Sequence, residues 1–365
     1  MKQEMTSRER QEAYARGERV DRIPYSTGAG ESILPYYGIS DRDYLFSSEV
    51  TADVAFMCLR DFGGDGMGLS ITARAFAEAA GSELEYPKQG YSHIVRHLIP
   101  DYRKFPAQLP EITVEKSGRL RTILDSLLLM QRRYGREYSV GYSVPCPGNC
   151  ALGLMPADQL LRCMVKRPDQ YAELMEFCLD AMLKCVRVFY EESGLSPGIF
   201  DVFASRELCG RYYEQNAEPY IQKMVAGIES ITGQTPGFGT CGSQQYIWDS
   251  LVGMGVTSLD IDHQDDIGQA RKLYGDKVFL SGNISPMTLF SGTKQEIEEA
   301  VLKCLVEASD NPCGFMPGPG GTLYFCTPPE NIRFFSECIQ KYGRDSRKGE
   351  TCQAALEAYE SGTRR

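Results

Sequence analysis

No apolar run in this chain is long enough to span a bilayer, and the opening stretch MKQEMTSRERQEAYARGERVDRIPY is charged and helical in pattern, without the apolar segment of a secretion signal. A soluble cytoplasmic protein with no membrane contact is expected. Long basic clusters are missing as well; the longest, Arg132, Arg133 and Arg136, reads as the wet face of a helix. With 39 Lys and Arg against 49 Asp and Glu, the formal charge of -10 repels polyanions and argues against nucleic acid as a partner. The 13 cysteines show no disulfide-framework spacing, so reduced thiols in a cytosol are expected, a composition that suits an anaerobe. There is no Gly/Ser linker, low-complexity tract or internal repeat. One domain over residues 1–345 is therefore expected, followed by a polar, frayed tail over 346–365 that carries no chemistry.

What is present is enough apolar residue, 42% of 365, for a large core. Eight short stretches look like strands buried on both faces: RIPYSTG from Arg22, GMGLSI from Gly66, SVGYSV from Ser139, GIFDVF from Gly198, PGFGTC from Pro236, TSLDID from Thr257, VFLSGN from Val278 and GFMPGP from Gly314. Helical patterns separate them. One runs from Pro156 to Ser193, and another closes at Gly233 as a C-cap. Strands alternating with helices imply parallel pairing, and eight such units predict a (β/α)8 TIM barrel with an N-terminal helix. The first half holds an insertion between Thr72 and Glu137, with the size of a lid or a docking surface over the barrel mouth.

Several motifs have bland readings. Cys146 and Cys150 flank prolines and match no standard zinc spacing, so they read as buried thiols in a rigid turn. The GPGG of Gly318 to Gly321 lacks the Lys-Ser/Thr pair of a nucleotide loop and reads as a turn that widens a pocket. His93 and His97 have helical i, i+4 spacing but no accompanying glutamate motif, and default to solvated or lid histidines. Tyr36, Tyr37 and Phe46 suit an aromatic wall near the first loop. Asp21 and Arg22 are assigned to bracing the chain entry.

The opening TSRERQEAYARGERVDRIPY, the NAEPYIQKMVAGI segment, the GTCG after strand five, SGNISPMTLFSGT after strand seven and CTPPENIRFF at the last helix occur in the order found in the uroporphyrinogen decarboxylase superfamily. They cover Thr6 to Phe335. The first loop reads STGAGESILPYYG, with Glu31 and no arginine, whereas porphyrinogen decarboxylases of the family carry an arginine-rich loop there for a polycarboxylate. The chain instead resembles the corrinoid-linked branch, similar to methylcobamide:coenzyme M methyltransferases. That likeness implies transfer of a methyl group between a small donor or acceptor of methoxyl, methylamine or thiol type and a methylcobamide on a separate corrinoid-binding protein. The chain itself shows no D-x-H-x-x-G signature of a cobamide domain. The outer helices leave a homodimer open.

In that branch zinc is held by the histidine and cysteine of H-x-C and by the cysteine of a PGC motif. Here Gly239 stands for the histidine, Cys241 is kept, and Gly321 stands for the second cysteine. A rebuilt metal site could draw on Cys241, His263 and Cys326, or on Asp201 or Asp262. Without zinc, the expected mouth is lined by Tyr142, Asp201, Gly239, Cys241, Gly242, Asp262, His263, Asn283 and Gly321. His263 with Asp262, Asp201 and Tyr142 are then the catalytic candidates, the histidine giving a proton to the departing group. Two rival readings stand beside this one. One is a lyase that decarboxylates a small carboxylate anchored by Arg206. The other is a degenerate barrel kept for binding.

Overall fold

The computed structural model describes residues 5–88 and 90–363. The first helix, Ser7–Ala15, starts at a capping box in which Thr6 and Glu9 satisfy each other's backbone N–H groups. Its Tyr14 is buried, and the phenol accepts a hydrogen bond from the Phe315 N–H at the far end of the sequence.

Seven parallel strands follow one another around the sheet in chain order: Gly66–Ser70, Ser139–Pro145, Gly198–Asp201, Phe238–Thr240, Ser258–Ile261, Phe279–Ile284 and Phe315–Pro319. The stretch expected as strand one divides. Val20–Arg22 pairs antiparallel with Arg344–Ser346. The next residues close the ring, with Ser26 N–H donating to the Pro317 carbonyl at 3.1 Å and Asp65 N–H to the Tyr25 carbonyl at 3.0 Å. Pro24 has no N–H, which interrupts a regular ladder at this point. The fold is a (β/α)8 barrel.

Strand alternation sorts the side chains. Met67, Tyr142, Val144, Ile199, Phe238, Leu259, Ile261 and Leu280 are buried against the helices. On strands Gly66–Ser70 and Ser139–Pro145 the inward positions are small: Gly68 is opposite Gly141, and Ser70 is opposite Ser143, their hydroxyls 2.7 Å apart. Barrels of this class usually fill the interior with branched residues. Here these two strands do not, and Gly66, Gly68 and Ser70 remain exposed to solvent.

The insertion holds helix Ala73–Ala79, an antiparallel hairpin of Glu83–Glu85 with His93–Arg96, and the long helix Gly118–Tyr134. His93 and His97 thus lie on the hairpin and just beyond it, not on one helix face. His93 sits 3.5 Å from the Glu85 carboxylate, and His97 Nδ1 lies 3.2 Å from the Gly153 carbonyl. The helix expected over 156–193 is two, Ala157–Lys166 and Pro168–Ser193, because Pro168 forces Arg167 out of the helical region to φ -142. Helix Glu218–Thr232 ends at Gly233 with φ 72. The tail departs from expectation: it forms strand Arg344–Ser346 and helix Gln353–Thr363, with Cys352 and Ala355 buried. Those two small apolar side chains give the segment something to bury, so it packs against helix Lys294–Ala308 rather than fraying.

Candidate functional site

On strand Ser258–Ile261 and the residue after it, alternation turns Asp260 and Asp262 to the same inward side. The Asp260 carboxyl accepts a hydrogen bond from Ser281 Oγ at 2.8 Å. Burial pushes it up to about 6 against the Ser281 hydrogen bond, and the negative Asp262 adds to the rise. Gly239 and Gly321 both face this hollow. A Cβ at Gly239 would lie 3.6 Å from Asp260 Oδ2 and 3.5 Å from the Phe200 ring, and one at Gly321 would lie 3.6 Å from Asp262 Oδ2 and 3.8 Å from Cys241 Sγ. Side chains at these two positions would therefore fill the centre of the mouth. The half-buried Cys241 thiol is raised by burial and by Asp262 and Asp260, against hydrogen bonds from the backbone of Thr322 and Gly242. Asp262 is fixed by Gly242 N–H and Gln264 N–H, each at 2.9 Å.

Not every expected residue joins them. His263 Nδ1 is 3.1 Å from Asp262 and 3.0 Å from the Gly320 carbonyl, and its ring lines a separate cavity of about 350 Å³ together with Asn283, Lys303 and Glu307. Asn283 itself donates to the Asp265 carbonyl. Asp201 falls on the outward side of its strand and is buried, accepting from Ala204 N–H at 2.6 Å and Gln244 Nε2 at 3.3 Å. Burial pushes its carboxyl up to about 6. Tyr142 also points outward, against Phe189 with ring centroids 5.2 Å apart. The period of two along each strand puts both residues in the helix layer, away from the lumen. Neither reaches the mouth.

The proposed metal set is likewise dispersed. Cys326 is exposed on a turn with φ 63, its N–H donating to Ser32. Among the described residues no three His, Cys, Asp or Glu side chains converge to hold a metal. The donors that face the hollow are Cys241, Asp260 and Asp262; Asp262 is already satisfied by backbone amides and Asp260 is held by Ser281, so the residues present do not fit zinc. Glycines 318–321 make no anion cradle, since the Gly320 carbonyl points at His263. Arg206 is exposed, its guanidinium over the Tyr246 ring.

Beside the hollow opens a cavity of about 480 Å³, lined by Gly28 and Glu31, Ser70 and Arg74, Arg119, Phe200 and Thr322 among others. Thr322 belongs to both spaces. Arg74 holds Glu31 through one nitrogen at 3.1 and 3.0 Å and reaches Ser92 on the hairpin segment. Burial, with the neighbouring carboxyl of Asp41, pushes Glu31 up to about 7 although Arg74 opposes it. Three residues here escaped the sequence reading: Asp260, Arg74 and Arg119. The alternation in Ser258 to Asp262 was enough to find the first. The two arginines come from the insertion, and only folding brings them to the mouth.

A barrel with its polar residues gathered at the carboxyl ends of the strands matches one family over most of its length. The chain belongs to the uroporphyrinogen decarboxylase (URO-D) family, which matches residues 6–342. Among its relatives, the methylcobamide:CoM methyltransferase MtbA of Methanosarcina mazei is 26% identical over 353 residues, covering 93% of this chain and 99% of the relative. The uroporphyrinogen decarboxylase of Dechloromonas aromatica is 25% identical, with 78% and 77% covered. A solved methyltransferase structure from Methanosarcina mazei shares the fold with a TM-score of 0.76 at 20% identity, covering 93% of this chain and 99% of that one. Among the described residues, no helix is long and apolar enough to cross a membrane.

Proposed function

We propose that this protein is the methyltransferase component of a corrinoid-dependent system, moving a methyl group between a small donor or acceptor and a methylcobamide carried by a separate cytoplasmic protein. The observation that carries the reading is the unfilled lumen. Gly239 and Gly321 leave a hollow over Asp260, Asp262 and Cys241, open to solvent along Gly68 and Ser70. A co-substrate held by another protein needs such access from outside. The likeness over nearly the full length of a methylcobamide:CoM methyltransferase supports the same reading.

Loss of a methyl group from an ether or amine leaves an anionic or basic atom that needs a proton. Asp260 faces the hollow with its carboxyl pushed up to about 6, close enough to neutrality to hold and release that proton. It takes the role first given to His263. Cys241, raised by burial, stays a neutral thiol and serves as wall. No step is routed through zinc, because the donor set does not fit it. The lyase alternative loses its anchor, since Arg206 lines neither the hollow nor the adjoining cavity.

The test is a spectral titration of a reduced corrinoid protein with methoxyl, methylamine and thiol compounds, with metal content measured on protein purified without chelators. Methylation of the corrinoid by at least one donor class is expected. Asp260→Asn should slow it by about a hundredfold or more. No spectral change with any donor, or an unimpaired Asp260→Asn variant, would overturn the reading.

A further inference from the structure

The helix Gly118–Tyr134 carries a charge that the chemistry above leaves unused. Arg119, in its first turn, is only 8% exposed. A guanidinium has five N–H donors. Among the described residues, Arg119 hydrogen-bonds only the Leu45 carbonyl, and no carboxylate lies within ion-pair distance of it. One face is covered by the Phe46 ring, 5.6 Å away. The charged and titratable groups nearest to it are Tyr86, Glu78, Glu31 and Tyr44. Glu31 is already held by Arg74, and the Tyr86 hydroxyl faces Glu78. A buried cation without an ion-pair partner is costly, and this one lines the cavity beside the mouth.

We propose that this cavity binds a small monocarboxylate, with Arg119 as its counter-ion and the apolar wall of Leu69, Leu152 and Phe200 taking the carbon body. A guanidinium meets a carboxylate bidentately, and the positive end of the helix adds to the attraction. A dianion such as phosphate would face Glu31, which lines the same cavity. The volume of about 480 Å³ is in the range of small-molecule sites. Thr322 lines the cavity while its backbone also meets Cys241, and Ser70 and Phe200 belong to the lumen, so a ligand anchored at Arg119 extends toward Asp260. The binding follows from this geometry; only the fate of the ligand, donation or acceptance of a methyl group, rests on the methyl-transfer reading.

The experiment is calorimetric titration of the full chain, without any corrinoid protein, using 4-methoxybenzoate and its neutral counterpart 4-methoxybenzamide. The carboxylate is expected to bind at least about tenfold more tightly. Arg119→Met should erase that preference, and Arg119→Lys, which keeps the charge but not the fork, should leave an intermediate ratio. Leu152→Trp should exclude both compounds by filling the cavity. Equal binding of acid and amide, a preference that survives in Arg119→Met, displacement by inorganic phosphate, or no binding of either compound to the wild type would each overturn the proposal. Should Arg119→Met fail to fold, an unchanged ratio in Arg119→Lys would do the same. Because no methyl transfer is measured, this test and the spectral titration fail independently.

Discussion

At the residue scale, buried carboxylates divide into those that hold the chain and those that titrate. Asp65 is fully buried, binding the guanidiniums of Arg10 and Arg22, the Ser7 hydroxyl and the Tyr25 N–H. Removing its charge would leave Arg22 without a carboxylate, Arg10 keeping Asp21, so Asp65→Asn should cost about 3 kcal/mol in urea unfolding. A loss below about 1 kcal/mol would show that water already reaches the cluster. Asp260 has the opposite character. Its folded pKa of about 6 lies above the unfolded value near 4, so the folded state binds the extra proton between those pH values. The stabilisation is full below about pH 4 and is lost as pH rises through about 6. Asp260→Asn should therefore raise stability at pH 7.5 relative to wild type, by at most about 3 kcal/mol, with little gain at pH 4. Thermal unfolding at the two pH values checks this, and a gain larger in acid would reverse the assignment.

At the element scale, contacts depend on small residues at crossings. Gly153 in helix Pro147–Leu154 approaches helix Ala73–Ala79 so closely that a Cβ would lie 2.6 Å from the Ala73 carbonyl. Gly153→Val should destabilise by about 3 kcal/mol, since the neighbour there is backbone and cannot swing aside. Denaturant midpoints compared with those of Gly194→Ala separate packing from backbone conformation, because Gly194 has φ 71 but open space around it. If the two variants lose equal stability, the crossing is looser than described. The hairpin is tied down by Tyr91, whose hydroxyl donates to the Leu323 carbonyl at 2.9 Å. That bond and Arg74, which joins Ser92 to Glu31, hold the hairpin segment to the mouth.

At the scale of the whole molecule, segments far apart in the sequence pair. Strand Val20–Arg22 is stitched to Arg344–Ser346, and the adjoining residues close the ring through two backbone hydrogen bonds. Truncation after Asp345 removes Ser346 from that pairing and uncovers the surface under Ala355. The melting temperature should fall by about 5 °C or more and the transition should broaden. An unchanged melting curve would mean that the terminal helix is only an appendage.

The barrel was legible in the sequence because eight short apolar segments alternate with amphipathic helices, a pattern with few ways to bury itself. The closeness of Cys241 and Gly321 could be anticipated from resemblance alone, and GLSI and DID already carry the period of two that faces Asp260 inward. That same period places Tyr142 and Asp201 outward, so local pattern held the correction before folding did. What only the tertiary structure decided is where residues far apart in the chain meet. Arg119 and Arg74 reach the mouth from an insertion whose path no spacing rule predicts, and His263 turns away because the Gly320 carbonyl captures its ring. Side-chain direction along a strand is a local property of the backbone, whereas the partners of a buried charge are set by long-range packing.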